Sequence, residues 1–211
     1  MTSQTKAELL TENAKLKKRV ASLERAKPKY SNGPGEAKRL RTDLLAAEQR
    51  LAATAEILKV IAESPSDLQP VFDAIAQSAA RLLKTSRALV LRYDGEQLHF
   101  CASSGGSAAG RKVTTRHFPV APENDPLSGT SVLKGVVVQN PDLLESGNAR
   151  LDEVSRARNV RSVLVVPMMQ GKSAIGTISV SRKEPGVFPA AEVELLKSFA
   201  NQAVIAIENV R

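Results

Sequence analysis

The two histidines, His99 and His117, and the single cysteine, Cys101, are the residues of this 211-residue chain whose types suit metal or nucleophilic chemistry. Their spacing excludes most of it. A zinc site draws several ligands from frames such as HExxH or a cysteine cluster, and neither histidine lies in one. Haem needs only one axial histidine, but a lone histidine in a strand is ordinarily a surface or satisfied core residue that touches a ligand at most. The lone thiol cannot close an intramolecular disulfide, which agrees with a reducing compartment. The serines include no GxSxG elbow. The glycine-rich stretch SSGGSAAG, from Ser103 to Gly110, lacks the GxxxxGK[ST] order that cradles nucleotide phosphates and reads as a loop. No catalytic residue, metal or cofactor is therefore expected.

The elements that would position these residues can be read from hydrophobic period. Pro65 ends one helix, and Ser66 or Asp67 caps the next, which carries Val71, Phe72, Ile75, Ala79 and Leu82 on one face. Ala88 to Arg92 and Gln97 to Ser103 read as strands joined at Asp94-Gly95. Alternation places Leu98, Phe100 and Ala102 on one face of the second strand and His99 and Cys101 on the other. Val113 to Val120 is predicted to be another strand. Then follow a turn over Ala121 to Asp125, a short helix around Leu127 to Lys134, a short strand over Val136 to Gln139, and a turn at Asn140-Pro141-Asp142. A helix with a weak apolar face is predicted over Asn148 to Asn159. Ser162 to Met169 and Ala174 to Arg182 complete the strands, turning at Gln170 to Ser173. Pro189 suits the first position of a last helix, whose seam is Val193, Leu196, Ala200, Ala203, Ile207 and Val210.

Before residue 64 the pattern is helical and periodic in heptads. Leu9, Asn13, Leu16, Val20 and Leu23 follow the four-then-three spacing of a short coiled coil over 1–26, with Asn13 at an a position where a buried amide favours a parallel, in-register dimer. Residues 27–36, KPKYSNGPGE, form a linker broken by Pro28 and Pro34. Over 37–63 a second seam, Leu40, Leu44, Ala47, Leu51, Thr54, Leu58 and Ile61, starts in a different phase and reads as a dimerising helix. The net charge of +8 raises the question of nucleic acid. Much of the excess lies before residue 40 in helical and linker positions, and aromatics at 3% offer no stacking platform, so nucleic acid is not an expected partner. No apolar run spans a bilayer and the first residues are too polar for a signal peptide, so the expected compartment is the cytoplasm, with no membrane partner.

The stretch SVLVVPMMQGKSAIGTISVSRKEPGVFPAAEVELLKSFANQAVIAIENVR, Ser162 to Arg211, resembles the C-terminal half of GAF domains in bacterial sensor kinases and cyclases. The likeness rests on Val166-Pro167, Gly171, Ile175-Gly176, Phe188 and the final FANQAVIAIENVR. SGTSVLKGVVVQNPDL (Ser128 to Leu143) and EILKVIAESPSDLQPVFDAI (Glu56 to Ile75) are also similar, so the resemblance covers 56–211. It implies an α+β fold: a central antiparallel sheet with the terminal helices on one face and a small-molecule pocket under loops and short helices on the other. Here that GAF-like sensory domain would occupy 64–211, end in an output helix over 190–211, and follow an N-terminal coiled-coil extension. The NKxnFDE-like motif of cyclic-nucleotide-binding members is missing. Cys101 lacks the Cys-His or DxCF context of bilin-binding members.

The resemblance implies a signal-transduction module that binds a small ligand, dimerises through flanking helices and passes ligand state to an output domain or a partner such as a histidine kinase. The alternative is a ligand-free dimerisation and interaction scaffold. For the pocket the candidates are His117, Ser131, Asn140, Asp142, Arg161 and Ser162. Arg161 with Ser162 could hold an anion, although Arg161 suits a solvated strand edge equally well and Asn140 and Asp142 equally suit caps on the turn at Pro141. For the homodimer the candidates are Asn13, Leu44, Leu51, Leu58, Leu196, Ala203 and Ile207. The last helix reaches Arg211 without a terminating glycine or proline, as a connector to a downstream element would.

Overall fold

The structure, a computed structural model, describes residues 67–208. Both N-terminal seams, with Asn13, Leu44, Leu51 and Leu58, lie outside the described residues. Asp67 starts the first helix, α1 (Leu68–Leu82), by accepting the Gln69 amide at 2.9 Å, one of the N–H groups that a helix start leaves without an internal partner. The predicted face of α1 is buried as a stripe: Val71, Phe72, Ile75, Ala79 and Leu82. The chain continues through β1 (Arg87–Tyr93), β2 (Leu98–Ser104), α2 (Ala108–Arg116), α3 (Ser128–Lys134) and β3 (Val138–Asn140). It ends with α4 (Ala149–Arg158), β4 (Ser162–Gln170), β5 (Ser173–Arg182) and α5 (Ala190–Glu208).

The five strands form one sheet in the order β2-β1-β5-β4-β3, every neighbouring pair antiparallel. Side-chain alternation divides the sheet into two faces. Ala88 and Val90 of β1, Leu164, Val166 and Met168 of β4, and Ile178 and Val180 of β5 meet α1 and α5 in the main core. Leu89 and Leu91 of β1 and Val163 and Val165 of β4 point the other way, into smaller apolar clusters beneath the connecting segments. Strands central to a sheet covered on both faces read as continuous apolar runs, which is why Val163 to Met168 shows no alternation.

Two expectations are corrected here. Residues 113–120 do not form a strand: Val113 to Arg116 belong to α2. Ser107 accepts the Gly110 amide and so starts a helix inside the glycine-rich stretch, while the Thr114 hydroxyl bonds back to the Gly110 carbonyl at 3.0 Å, so the β-branched run is held in helical geometry. Of the predicted strand only Val120 makes a bridge, to Leu98.

The second correction concerns β2. Val90 pairs with Ala102 but Leu91 with Phe100, so Cys101 is an extra residue in a β-bulge. The bulge breaks alternation. Leu98 and Phe100 face the smaller cluster, whereas Ala102 joins the main core with Cys101 packed against it. Leu98, Phe100 and Ala102 therefore do not share a face.

In α5, Leu196, Ala203 and Ile207 are 0%, 0% and 2% exposed, packed in the main core of their own chain. A four-then-three seam marks a face against a sheet as well as one against a partner helix, and in the folded domain it is the sheet that these side chains meet. No helix among the described residues is long and apolar enough to cross a membrane.

Candidate functional site

On the sheet face away from α1 and α5 lies a cavity of about 70 Å³. Its floor is Leu89 from β1, Val163 and Val165 from β4, and Ser179 and Ser181 from β5. Its roof comes from α2 and its exit (Thr114, His117, Phe118), from Asp125, Leu127 and Ser128 at the start of α3, and from Leu143. One wall is the inner stripe of α4: Arg150, Leu151, Val154 and Arg158. That i, i+1, i+4, i+8 spacing is one helix face. Asn148, which accepts the amides of Arg150 and Leu151, fixes where the stripe starts, and Asn159 in left-handed conformation (φ 52°) ends it.

The two arginines of that wall differ in their surroundings. Arg150 is satisfied: it donates to the Asn124 carbonyl at 2.6 Å and to the Asp125 carboxylate at 3.3 Å, and its guanidinium lies 5.9 Å from the Phe118 ring centre. Asp125 in turn accepts the amides of Leu127 and Ser128. Arg158 is only 6% exposed, and none of the described residues gives it an ion pair or hydrogen bond. Burial, and then the charge of Arg87, lowers its pKa to about 10, so it stays a cation at neutral pH. Arg87, at the start of β1, is also buried, with its Nε unpartnered. Two buried guanidinium groups thus lie within electrostatic reach of each other, and among the described residues no carboxylate pairs with either.

Glycine shapes this corner. Gly106 has φ +84°, a backbone conformation that strains any residue with a Cβ, and a side chain there would also displace the Arg87 guanidinium. Gly110 brings α2 onto α4; its Cβ would come within 2.8 Å of the Ala157 carbonyl.

Of the residues singled out in the sequence, only His117 lines the cavity. Its burial, and secondarily the Arg150 charge, lowers its pKa and favours the neutral ring; Nε2 stands 3.8 Å from Glu153, too far for a hydrogen bond. The other candidates brace the backbone. Ser131 donates to the Val136 carbonyl at 2.8 Å, closing the end of α3. Asn140 accepts the Asp142 amide at 2.9 Å, and Asp142 accepts that of Leu144 at 3.1 Å. Arg161 makes a two-pronged ion pair with Asp142, its Nε bond 2.7 Å long, and Ser162 donates to the Glu184 carbonyl at 2.8 Å. The structure does not bring these residues to the cavity. Sequence reasoning missed Arg158, Arg150, Thr114, Ser128, Ser179 and Ser181; the signal open to it was the inner stripe of α4 between two asparagine caps.

Cys101 packs on the opposite face of the sheet, against the main core, and the burial of its thiol raises its pKa. Among the described residues no cluster of histidine, cysteine and carboxylate could hold a metal ion.

An antiparallel sheet with both terminal helices on one face and a roofed cavity on the other defines the class of α+β domain to which the chain belongs. The family model for the GAF domain matches residues 67–207, and the chain belongs to that family. Similar solved structures share the fold. The GAF domain/HD domain protein of Geobacter sulfurreducens superposes with a TM-score of 0.60 at 23% identity, over 69% of this chain and 95% of that one. The GAF domain of an Acinetobacter phosphoenolpyruvate-protein phosphotransferase gives 0.59 at 17% identity, over 78% and 93%. A domain of a putative two-component sensor histidine kinase from Sinorhizobium meliloti gives 0.55 at 17% identity, over 69% and 93%. No curated protein matches the sequence. GAF domains are sensory and signalling modules, and this chain is one of that class.

Proposed function

We propose that the chain is a non-catalytic, cytoplasmic sensor that binds a small molecule in the cavity on the sheet and passes its ligand state through α1 and α5 to an output domain or a partner such as a histidine kinase. The observation that carries this reading is the placement of the cavity and the terminal helices on opposite faces of the same strands. Leu89, Val163, Val165 and Ser179 line the cavity, and their immediate neighbours Val90, Leu164, Val166, Ile178 and Val180 pack under the helices. A ligand that shifts a central strand shifts both layers, because close-packed cores transmit displacement. The helix over 37–63 would carry the change into a parallel homodimer, where a heptad seam admits few discrete packings.

Native mass spectrometry of the gently purified chain tests the reading. A small molecule retained at stoichiometric ratio supports it. An empty protein whose hydrogen exchange in α1 and α5 responds to no compound bound in the cavity would leave a ligand-free dimerisation scaffold.

A further inference from the structure

We propose that the cavity recognises a small monocarboxylic acid, its carboxylate held by Arg158 with Arg87 behind it and its apolar body lying along Leu151, Val154 and Val163. This inference names the ligand class and rests on the sensory reading above.

Arg158 is a cation, more than nine-tenths buried in a cavity wall, without a partner among the described residues. Burying a charge in such a setting is strongly unfavourable unless an opposite charge meets it. Arg87, itself buried nearby, makes the local charge more positive and its Nε has no acceptor. Core arginines that serve architecture are tied to carboxylates or carbonyls, as Arg150 is to Asp125 and Asn124. Arg158 is instead unpaired among the described residues, with a planar, two-pronged donor group, in the wall of a space of about 70 Å³.

The rest of the cavity defines what accompanies the charge. Arg150 and Arg158 stand eight residues apart on α4, about 12 Å along the axis. Between them the wall is aliphatic, and Val163 of the floor continues it. A fully hydrated oxyanion would waste that surface. A carboxylate carrying a short branched body would use both parts, whereas an aromatic body, larger than the cavity as it stands, would use them only by pushing the roof outward.

Thermal unfolding and calorimetric titration of the full chain test this with acetate, 3-methylbutanoate, phenylacetate, the amides of the last two, and inorganic phosphate. The expected result is that at least one of the two larger acids raises Tm by about 3 °C or more at saturating concentration, while its amide and phosphate do not. Arg158→Met should weaken that acid at least about tenfold and raise the Tm of the free protein, because it removes an unmatched charge. A structural arginine would lower it. Arg158→Lys keeps the charge without the fork and should bind the acid more weakly than wild type; undiminished affinity overturns the proposal even if the methionine variant fails to fold. An amide binding as well as its acid, or phosphate alone binding, overturns carboxylate recognition and leaves small-molecule sensing standing. No response to any of the acids overturns the proposal as well, and the sensory reading falls with it only if the protein is also empty in native mass spectrometry and the hydrogen exchange of α1 and α5 responds to no compound.

Discussion

Asp142 shows how a polar residue beside a cavity can be wholly engaged in holding the backbone. Its carboxylate meets Arg161 and the Leu144 amide, and these bonds, Arg161's first, hold its pKa below the ordinary carboxylate value. A carboxylate whose pKa is depressed by folding stabilises the native state fully above its unfolded pKa and loses that contribution as pH falls through the folded value. Wild type should therefore exceed Asp142→Asn in thermal stability at neutral pH, with the difference shrinking as pH drops below about 4. A difference that is constant from neutral pH down to acid unfolding would show that the ion pair contributes nothing. Cys101 makes a second point at this scale. It lies across the sheet from the cavity, so a chromophore seated there has no thiol to bond. Protein expressed with biliverdin supplied should show no covalently bound visible band after denaturing electrophoresis, and a band that is lost in Cys101→Ser would refute this.

Among the elements, α2 and α4 supply part of the roof and one wall of the cavity, and hydrophobic period marks them least. α1, β1, β4, β5 and α5 declared themselves through periodic or continuous burial, because each meets the main core along most of its length. α4 buries only Leu151, Ser155 and Arg158, so its polar composition gives hydrophobic periodicity little to register. In α2 the run Val113-Thr114-Thr115 has strand propensity, and tertiary contact overrides it. The candidate site was legible only in outline for the same reason: Asn140, Asp142 and Arg161 stand out in sequence because turns need them, while Arg158 stands among ordinary helix-surface charges until the fold buries it. Gly110 is where the two helices meet. Gly110→Val should push α2 off α4, cost about 1–3 kcal/mol by overpacking, and open the roof without unfolding the sheet. Hydrogen exchange would report faster protons in α2 and α4 only; unchanged protection there would show that the close approach does not matter.

For the whole molecule, the burial of Leu196, Ala203 and Ile207 within one chain separates folding from assembly. Leu196→Ala should destabilise the domain by about 2–5 kcal/mol, as for other fully buried leucines. Leu51→Glu should act oppositely, placing like charges at one layer of the proposed helical seam and giving a monomer whose sheet domain stays folded. Sedimentation together with thermal unfolding decides between the two. A monomeric wild type at tens of micromolar, or a Leu51→Glu dimer as tight as wild type, would remove the basis for transmission through helices.

The bulge in β2 bears on which changes of chain length the domain tolerates. Removing a residue from a strand normally turns everything beyond it to the wrong face, because side chains alternate. At Cys101 the reverse holds. Phe100 already opposes Leu91 and Ala102 already opposes Val90, so without Cys101 the two strands would pair in unbroken register with every remaining side chain on the face it now occupies. Deleting Cys101 should give a folded domain with its cavity floor intact, whereas deleting Phe100 or Ala102 should not. The same position is then a natural place for homologous chains to differ by one residue, and an alignment gap there would record the loss of a bulge while the strand itself persists.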